Sequence, residues 1–324
     1  MHQKIISQTA MRNIKYSLII PVYKNEGSID RLIDRLTKLN RSLSNELEVV
    51  FVVDGSPDQS LARLRDLLDG LEFSAQLLAH SRNFGSFPAI RSGLEAARGE
   101  YFAVMAADLQ EPPELVLSFY DSLSKDECDI AIGARGKRND PFISRMFSAL
   151  FWWLYRRLVV KEIPRGGFDM FGCNLVFREQ LLRLEESRSS LLALVYWLGF
   201  RRKTFTYDRL ERLEGKSAFT FARKFNWMLD SVFAFTDLPI RLLVVIGSIG
   251  CLLSFGLGSI VIIAKLAGLI PVPGYAATMM VVLFFGMLNI LGIGLVGTYS
   301  WRTYENSKRR PIAVVGWRYA NTKS

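Results

Sequence analysis

The sequence predicts an α/β fold with a mostly parallel sheet in residues 1–238, followed by an apolar part that crosses a membrane. Up to about residue 238, short apolar runs alternate with segments of helical periodicity. Helices that join short strands give mostly parallel sheets with right-handed crossovers. From Ile240 to Ser300 the chain carries almost no charge, which is typical of membrane helices. The 324 residues therefore predict one large domain with an appendage.

Five strands are expected in the first part, because five short runs are rich in Val, Ile, Leu, Ala, Phe and Tyr. They are Tyr16–Val22, Glu48–Val53, Ala75–Ala79, Tyr101–Met105 and Asp129–Gly133. Helices are expected between them, at residues 29–39, 61–71 and 88–97, and a further helix begins at the proline pair Pro112-Pro113. Ser28 is expected to cap the first of these helices.

Polar loops follow three of the strands, at Tyr23–Gly27, Asp54–Asp58 and Asp108–Glu111. Because open α/β sheets bind ligands at the carboxyl ends of their strands, the three loops are expected to build one cleft. The chain has no GxxxxGK[ST], and no GxGxxG after the first strand, which disfavours an ATPase or a dinucleotide-binding enzyme. The cleft still suits a nucleotide, with Asp54 accepting from a base N–H or a ribose hydroxyl. The alternative is that Asp54 does not contact a ligand and only forms a turn before Gly55.

Asp108 and Gln110 stand two residues apart, just past the strand that begins at Tyr101. On an extended segment, side chains at alternate positions point the same way. Oxygen ligands of this kind suit Mg²⁺ or Mn²⁺ carrying a diphosphate. The alternative is a solvated loop between a strand and a helix.

The net charge limits the classes of partner, and the cysteine content bears on disulfides and zinc sites. The net charge of +10 is compatible with nucleic acid, an anionic membrane surface or a phosphorylated substrate. The apolar C-terminal part favours the last two, and no nucleic-acid partner is expected. Cys128, Cys173 and Cys251 show no paired spacing, so neither a disulfide framework nor a zinc site is expected. The first 17 residues are polar and lack the apolar core of a signal peptide.

Four motifs occur in a characteristic order: IIPVYKNEGSI, VVDGSPDQS, SRNFGS and AADLQEPPE. Together they resemble the family 2 glycosyltransferases with a GT-A fold, specifically the polyprenyl-phosphate sugar transferases. That group includes dolichol-phosphate mannosyltransferase and the bacterial bactoprenol glucosyltransferases. The resemblance implies a Mg²⁺ or Mn²⁺ ion on Asp108 and Gln110. It also implies that a nucleotide-sugar donor is held by Pro21, Tyr23, Glu26, Asp54 and Asn83.

The chain departs from the family pattern at the metal site. The family usually has Asp-x-Asp-x-Gln, whereas this chain has Ala106-Ala107-Asp108-Leu109-Gln110, so one carboxylate is missing. The loss is expected to affect how tightly the metal binds more than whether a metal is used. Mg²⁺ is commonly held by one or two carboxylates plus substrate phosphates.

The middle of the chain is expected to meet an anionic lipid. Residues 142–160 are rich in aromatic residues and contain three arginines, which fits a helix lying in the lipid interface; the alternative is an ordinary core helix. Residues 219–235, just before the apolar part, are a second candidate of this kind. The resemblance implies that the acceptor phosphate is held by Arg135, Arg138, Arg145 and Ser148.

Two further segments resemble family motifs. In Gly166–Phe171, Asp169 is the candidate for a catalytic or acceptor-positioning carboxylate, the alternative being a turn residue after two glycines. The segment Tyr207–Ser217 resembles an Arg-x-x-Gly-x-Ser loop, for which a charged hairpin loop is the alternative. The resemblance implies that three of its residues close over the diphosphate, namely Arg212, Lys216 and Ser217.

Residues 239–301 are expected to form a membrane hairpin with helices at about 242–266 and 276–300. Each run has about 25 residues, enough to cross about 30 Å of hydrocarbon at about 1.5 Å per residue. Cations flank both ends, at Arg241, Arg302 and 308–310, so both termini, the sheet domain and the basic tail 302–324 are expected in the cytoplasm. This predicts a multi-pass protein of the inner (plasma) membrane; the alternative is a buried hairpin in a soluble protein.

The resemblance thus predicts an inverting transferase of a sugar from a nucleotide sugar to a polyprenyl phosphate, with UDP-glucose and undecaprenyl phosphate as first guesses. One alternative is a processive polysaccharide synthase, although its Gln-x-x-Arg-Trp motif is not found. Another is a non-catalytic membrane scaffold. The sequence leaves the oligomeric state open, a homo-oligomer included.

Overall fold

The computed structural model describes residues 14–136, 149, 151–157, 159–164, 167–186, 190–208, 229–267 and 274–321. The chain divides into two compact units. The first, the sheet unit, comprises Met1–Lys224 with Pro311–Ser324. The second, the helical unit, comprises Phe225–Arg310.

Eight strands form one sheet in the order β7-β5-β6-β4-β1-β2-β3-β8. Neighbours are parallel in four pairs, β1 with β2, β1 with β4, β2 with β3 and β5 with β7. Strand β6 is antiparallel to β4 and β5, and β8 is antiparallel to β3. The strands are β1 Tyr16–Val22, β2 Leu47–Val53, β3 Ser74–His80, β4 Tyr101–Val104, β5 Ile130–Arg135, β6 Phe168–Asn174, β7 Arg202–Tyr207 and β8 Val315–Asn321. The expected α/β class and the five expected strands are confirmed, within two residues at each end.

Helices of seven or more residues accompany the strands in the described ranges, and eight of them are labelled α1 to α8. They are α1 Ile29–Ser42, α2 Ser60–Leu67, α3 Ser86–Ala96, α4 Pro113–Ser124, α5 Leu175–Arg183, α6 Leu191–Trp197, α7 Leu238–Leu266 and α8 Tyr275–Ser307. Residues 151–157 and 229–235 are also helical. The remainder of the two proposed interfacial segments, 142–160 and 219–235, lies mostly outside the described residues.

The core lies between the helices and both faces of the sheet. Every residue of β2 is buried, as expected for a parallel strand that is covered on both sides. Helix α1 buries Ile29, Leu32, Leu36 and Leu39, the stripe that its helical periodicity predicts. Helix α3 packs closely on β1, because a Cβ on Gly93 would lie only 2.4 Å from Ile19 Cγ2.

Ser28 stands at the N-cap position of α1, but its side chain does not cap the helix. Its hydroxyl donates to the carbonyl oxygens of Asn25 and Ala107, each at 3.0 Å. The expected capping bond is therefore wrong. The hydroxyl is used instead to link the loop after β1 to the loop after β4.

Helices α3 and α5 cap each other's carboxyl ends through two arginines. Arg178 of α5 donates to the carbonyl oxygens of Leu94, Glu95 and Ala97 at 2.7–3.3 Å. Arg91 of α3 donates to those of Leu181, Leu182 and Leu184. Burial lowers the pKa of both guanidinium groups, yet arginine stays protonated in proteins. The two cations therefore satisfy carbonyl groups that a helix end leaves without partners.

We expect Arg178→Ala to lower the free energy of unfolding by about 2 kcal/mol, because hydrogen bonds from charged donors contribute about 1.5–3 kcal/mol. Thermal and urea unfolding of the purified protein would measure it. Arg183→Ala is the control, since it removes an exposed arginine from the same helix, and it should cost less than about 0.5 kcal/mol. Equal losses in the two variants would contradict the capping role.

The residues after α8, which were expected to form a basic tail, include a strand of the sheet. Strand β8 pairs with β3, and the Ser81 N–H donates to the Val314 carbonyl at 3.0 Å. Tyr319 Oη donates to Asp69 Oδ1 at 2.6 Å. The sequence VGWRYAN has the aromatic and β-branched content of a strand, so the tail prediction was wrong for these residues.

The helical unit exposes large apolar side chains along both long helices. Leu252, Phe255 and Leu266 on α7 are 74–83% exposed, and Met287 and Ile293 on α8 are 71% and 73% exposed. In the described ranges, one helical stretch, Phe284–Ser307, is long and apolar enough to span a membrane. A second results only if Leu229–Phe235 and Leu238–Gly250, which meet at 82°, count as one span. The two predicted helices are present, whereas the hairpin topology stays a prediction.

Candidate active site

The loops after β1, β2 and β4 meet at the carboxyl edge of the sheet, as predicted. They enclose a cavity of about 370 Å³. Its lining comes from all three loops and the first turn of α1: Lys24, Asn25, Glu26, Gly27, Ser28, Arg31, Pro57, Asp58, Asp108 and Leu109. Lys24 and Arg31 were not among the expected site residues. A cation just after a strand and a cation in the first turn of a helix are signals that could have identified them.

Asp58 joins the first two loops through its carboxylate. Its Oδ1 accepts from Ser56 Oγ at 2.5 Å and from the Ser60 N–H at 3.2 Å. Its Oδ2 accepts from Ser60 Oγ at 2.9 Å and from the Glu26 N–H at 3.2 Å. Burial alone would raise the pKa of Asp58, but these hydrogen bonds outweigh it and hold the pKa below its ordinary value. Asp58 is therefore an anion at neutral pH.

Asp54 is 3% exposed, and both of its carboxylate oxygens have partners. Oδ1 accepts from the Phe84 N–H at 2.8 Å and Oδ2 accepts from the Gly85 N–H at 2.7 Å. His80 Nδ1 lies 2.8 Å from Asp54 Oδ1, and His80 Nε2 lies 2.9 Å from Ser92 Oγ. Asp54 thus holds the loop before α3 in place. The turn interpretation accounts for the residue only in part, because its side chain reaches across to a neighbouring strand.

Of the other expected donor residues, Glu26 lines the cavity, and Pro21, Tyr23 and Asn83 lie at the ends of strands or in loops at the same edge of the sheet. Tyr23 is 38% exposed, and its N–H donates to Asn25 Oδ1 at 3.0 Å. Glu26 lines the cavity and accepts from the Gln59 N–H at 2.8 Å. Asn83 Nδ2 donates to the Asp54 carbonyl at 3.2 Å. Pro21 is the penultimate residue of β1. These placements leave the proposed donor contacts as predictions.

The loop after β4 differs from the expected extended segment. Leu109 has a φ of 59°, the left-handed region that a residue with a Cβ rarely occupies. The chain turns there, and the Gln110 N–H donates to Asp108 Oδ1 at 3.3 Å. Asp108 lines the cavity, whereas the Gln110 side chain is only 7% exposed. The segment is therefore not extended as predicted, and the spacing of the two residues does not by itself place their side chains on one face.

Glu111 is a buried carboxylate in the same loop and was not among the expected site residues. It is 2% exposed, and its Oε2 accepts from the Ala106 N–H at 3.3 Å. Ala106 is the position at which the family pattern has its first aspartate. An acidic residue directly before two prolines was the available signal.

The oxygen-only donor set fits a divalent ion that the substrate helps to hold. Asp108 offers a carboxylate to the cavity. In the part of the chain that the structure describes, no group of three or more His, Cys, Asp or Glu residues is placed to bind a metal. Such a site matches Mg²⁺ or Mn²⁺ bound through one carboxylate and completed by phosphate oxygens and water.

The remaining candidates share one edge of the sheet where the structure describes them. Arg135 is the last residue of β5, and Asp169 lies in β6 at a register shift opposite Gly133 and Ala134. Because β6 is antiparallel to β4 and β5, its first residues lie at the edge from which the Asp108 loop leaves. Asp169 is therefore a strand residue, and its interpretation as a turn residue was wrong. Outside the described residues lie Arg138, Arg145, Ser148, Arg212, Lys216 and Ser217.

The chain matches the family model of glycosyl transferase family 2 over residues 17–184. It is 30% identical over 307 residues to the uncharacterized glycosyltransferase YkcC of Bacillus subtilis, covering 94% of both chains. It is 29% identical over 308 residues to the bactoprenol glucosyl transferase of Shigella phage SfV, covering 93% of this chain and 98% of that one.

A solved structure of the mannosyltransferase PcManGT from Pyrobaculum calidifontis, in complex with GDP-Man and Mn²⁺, resembles 71% of this chain and 67% of its own, with a TM-score of 0.48 and 15% identity. The family match runs from β1 through α5 and includes the three loops that line the cavity. More than half of the 324 residues are thus matched. The chain belongs to glycosyl transferase family 2 and has the GT-A fold, as the motifs predicted.

Proposed function

We propose that the protein transfers a sugar from a nucleotide-sugar donor to a polyprenyl phosphate, with inversion at the anomeric carbon. UDP-glucose and undecaprenyl phosphate are the first substrates to test. The observation that carries the proposal is the cavity at the carboxyl edge of the sheet, which Asp108 lines together with Lys24 and Arg31. The likeness to a bactoprenol glucosyl transferase over nearly the whole chain supports the acceptor class.

The reaction joins two anions, so the site must supply positive charge. An oxygen of the lipid phosphate forms a bond to the anomeric carbon, while the bond from that carbon to the β-phosphate oxygen of the donor breaks. The lipid phosphate is largely a dianion at pH 7, since its second pKa is about 6, and it needs little help from a base. A divalent ion bound at Asp108 would neutralise charge on the leaving diphosphate.

The chain's own residues bind and orient the two substrates. Lys24 and Arg31 are proposed to face the donor's phosphates from the β1 side of the cavity, and the Asp54 network keeps the Ser81–Gly85 loop in shape. Asp169 is proposed to position the acceptor. Arg212, Lys216 and Ser217 are proposed to close over the diphosphate. The lipid phosphate is assigned to Arg135, Arg138, Arg145 and Ser148.

Mass spectrometry of lipid products tests the proposal. Membranes that contain the protein are given polyprenyl phosphate, Mn²⁺ or Mg²⁺ and one nucleotide sugar at a time. A lipid-linked monosaccharide is the expected product. Free polymer would point instead to a processive synthase, and the absence of any product or donor hydrolysis would point to a scaffold.

We also propose that the protein associates with membranes through its apolar C-terminal helices, and that α7 and α8 form a hairpin with both ends in the cytoplasm. The sheet unit would then lie on the cytoplasmic side of the inner membrane. The cations at Arg241, Arg302 and 308–310 support this orientation.

A cysteine placed in the loop between the two helices tests this topology. Gly274→Cys should react with an impermeant thiol reagent added outside intact cells, because the hairpin places that loop outside. The unsubstituted protein, labelled in parallel, corrects for its three native cysteines. Reaction of Gly274→Cys only after permeabilisation would contradict the hairpin.

A further inference from the structure

Asp58 fixes the relative position of the two loops that line one side of the cavity. We propose that Asp58 is a positioning residue for the donor nucleotide, acting through the main chain of the Tyr23–Gly27 loop. The inference rests on the proposed function, because it takes the ligand of this cavity to be a nucleoside diphosphate.

The hydrogen bonds of Asp58 reach the first loop by two routes. The direct route is the bond from the Glu26 N–H to Asp58 Oδ2, at 3.2 Å. The indirect route runs through Ser56, whose hydroxyl donates to Asp58 Oδ1 at 2.5 Å and accepts from the Lys24 N–H at 2.8 Å. One carboxylate thus determines where two amides of the first loop lie.

Two further hydrogen bonds connect the loops, one donated by each loop. The Glu26 carboxylate accepts from the Gln59 N–H at 2.8 Å, and the Asn25 N–H donates to Ser60 Oγ at 3.2 Å. Ser60 Oγ in turn donates to Asp58 Oδ2 at 2.9 Å. The two loops are therefore cross-linked in both directions, with Asp58 at the centre of the network.

The main chain that Asp58 holds is unusual in itself. Lys24 has a φ of 57°, a left-handed conformation that is unfavourable for a residue with a Cβ. Such a conformation persists where surrounding bonds hold it in place. The bond between the Lys24 N–H and Ser56 is one of these. Because Lys24 lines the cavity, its conformation shapes the surface that the nucleotide meets.

A substitution at Ser56 distinguishes an indirect role of Asp58 from direct contact between Asp58 and the ligand. Ser56 is not among the residues that line the cavity, whereas Asp58 is. If Asp58 acts through the loop, Ser56→Ala should weaken nucleotide binding as well. If Asp58 touches the nucleotide directly, Ser56→Ala should leave binding unchanged.

The experiment is calorimetric titration of the full-length protein with UDP and with GDP in the presence of Mn²⁺. The variants are Asp58→Asn, Ser56→Ala, the double variant, and the control Asp66→Asn, an exposed residue on α2. We expect Kd to rise about tenfold in Asp58→Asn and about threefold in Ser56→Ala, because the first change weakens all four bonds to the charged acceptor and the second removes one of them. The double variant should bind no more weakly than Asp58→Asn, since both act through one network.

Two further readouts exclude a general loss of structure. Amide hydrogen exchange should accelerate in peptides that contain Lys24 and Glu26, and should stay unchanged in α3 and α4. The KM for polyprenyl phosphate should also stay unchanged. Equal weakening of nucleotide and lipid would overturn the inference.

The remaining outcomes are distinct. A wild-type protein that binds neither UDP nor GDP overturns the proposed donor class, and this inference with it. Normal binding by both the wild type and Asp58→Asn overturns the inference alone. Normal nucleotide binding by Ser56→Ala overturns the indirect role of Asp58. If Asp58→Asn does not fold, the titration of Ser56→Ala alone tests the inference.

Discussion

Asp108→Ala should reduce sugar transfer by about a thousandfold or more while leaving the fold intact. Asp108 is the carboxylate of the β4 loop that lines the cavity, and a bound metal ion contributes several kcal/mol of charge stabilisation to a transition state. A loss of about 4 kcal/mol corresponds to a factor of about 10³ in rate. The rate of lipid-linked sugar formation measures the effect, and direct Mn²⁺ titration with UDP present should show that the ion no longer binds.

Asp121→Ala provides the control for this experiment. Asp121 is an exposed residue of α4 that pairs with Lys125, so its loss should change neither transfer nor metal binding. The thermal midpoint of Asp108→Ala should match that of the wild type, because its side chain lies at a cavity rather than in the core. Wild-type turnover in a folded Asp108→Ala protein would refute the assignment.

Glu48→Ala should cost about 3 kcal/mol of stability, the low end of the range for removing one partner of a buried ion pair, because the Arg98 side chain that remains is 35% exposed. Glu48 is fully buried at the start of β2. Its carboxylate accepts from Ser17 Oγ at 3.0 Å, from Gln76 Nε2 at 2.9 Å and from Arg98 Nε at 2.7 Å. The alanine variant would remove this acceptor from all three groups, and Gln76 Nε2 would keep only its bond to the Ala96 carbonyl at 2.7 Å. Thermal and urea unfolding of the purified protein would measure the loss.

Glu72→Ala is the matched control, because Glu72 also pairs with an arginine but on the surface. Its bond to Arg41 is 2.8 Å long, and the two side chains are 56% and 63% exposed. Exposed pairs contribute about 0–1 kcal/mol, so this variant should unfold almost like the wild type. Similar losses in both variants would mean that burial of Glu48 does not determine its contribution.

The first half of the fold was predictable because its signals are local. Strands β1 to β5 are apolar runs bounded by polar loops, and α1 carries its apolar stripe at helical spacing. Strands β6 and β7 lack such signals. Strand β7 reads RKTFTY and is half-exposed, and β6 includes Gly172 and Asp169 within an antiparallel pairing that local sequence does not encode. Their places depend on partners that are distant in the sequence.

The location of the site was predictable, but its internal bonding was not. The rule that ligands bind at the carboxyl ends of strands placed Glu26 and Asp108 at one cavity. In the folded chain, the Asp54 carboxylate is hydrogen-bonded to His80 and two backbone amides, whereas Asp58 joins two loops. These contacts depend on distances that the sequence does not show. The turn at Leu109 was missed for a related reason, because an apolar residue with a positive φ has no sequence signature.

Strand β8 bears on the order in which the protein is made. The ribosome synthesises α7 and α8 before it reaches Val315–Asn321, so β3 remains an open edge during that interval. Unpaired edges of this kind invite wrong pairing with other chains. The newly made sheet therefore keeps this edge unpaired until the last strand is added. A stop codon introduced after residue 310 would leave the edge unpaired permanently.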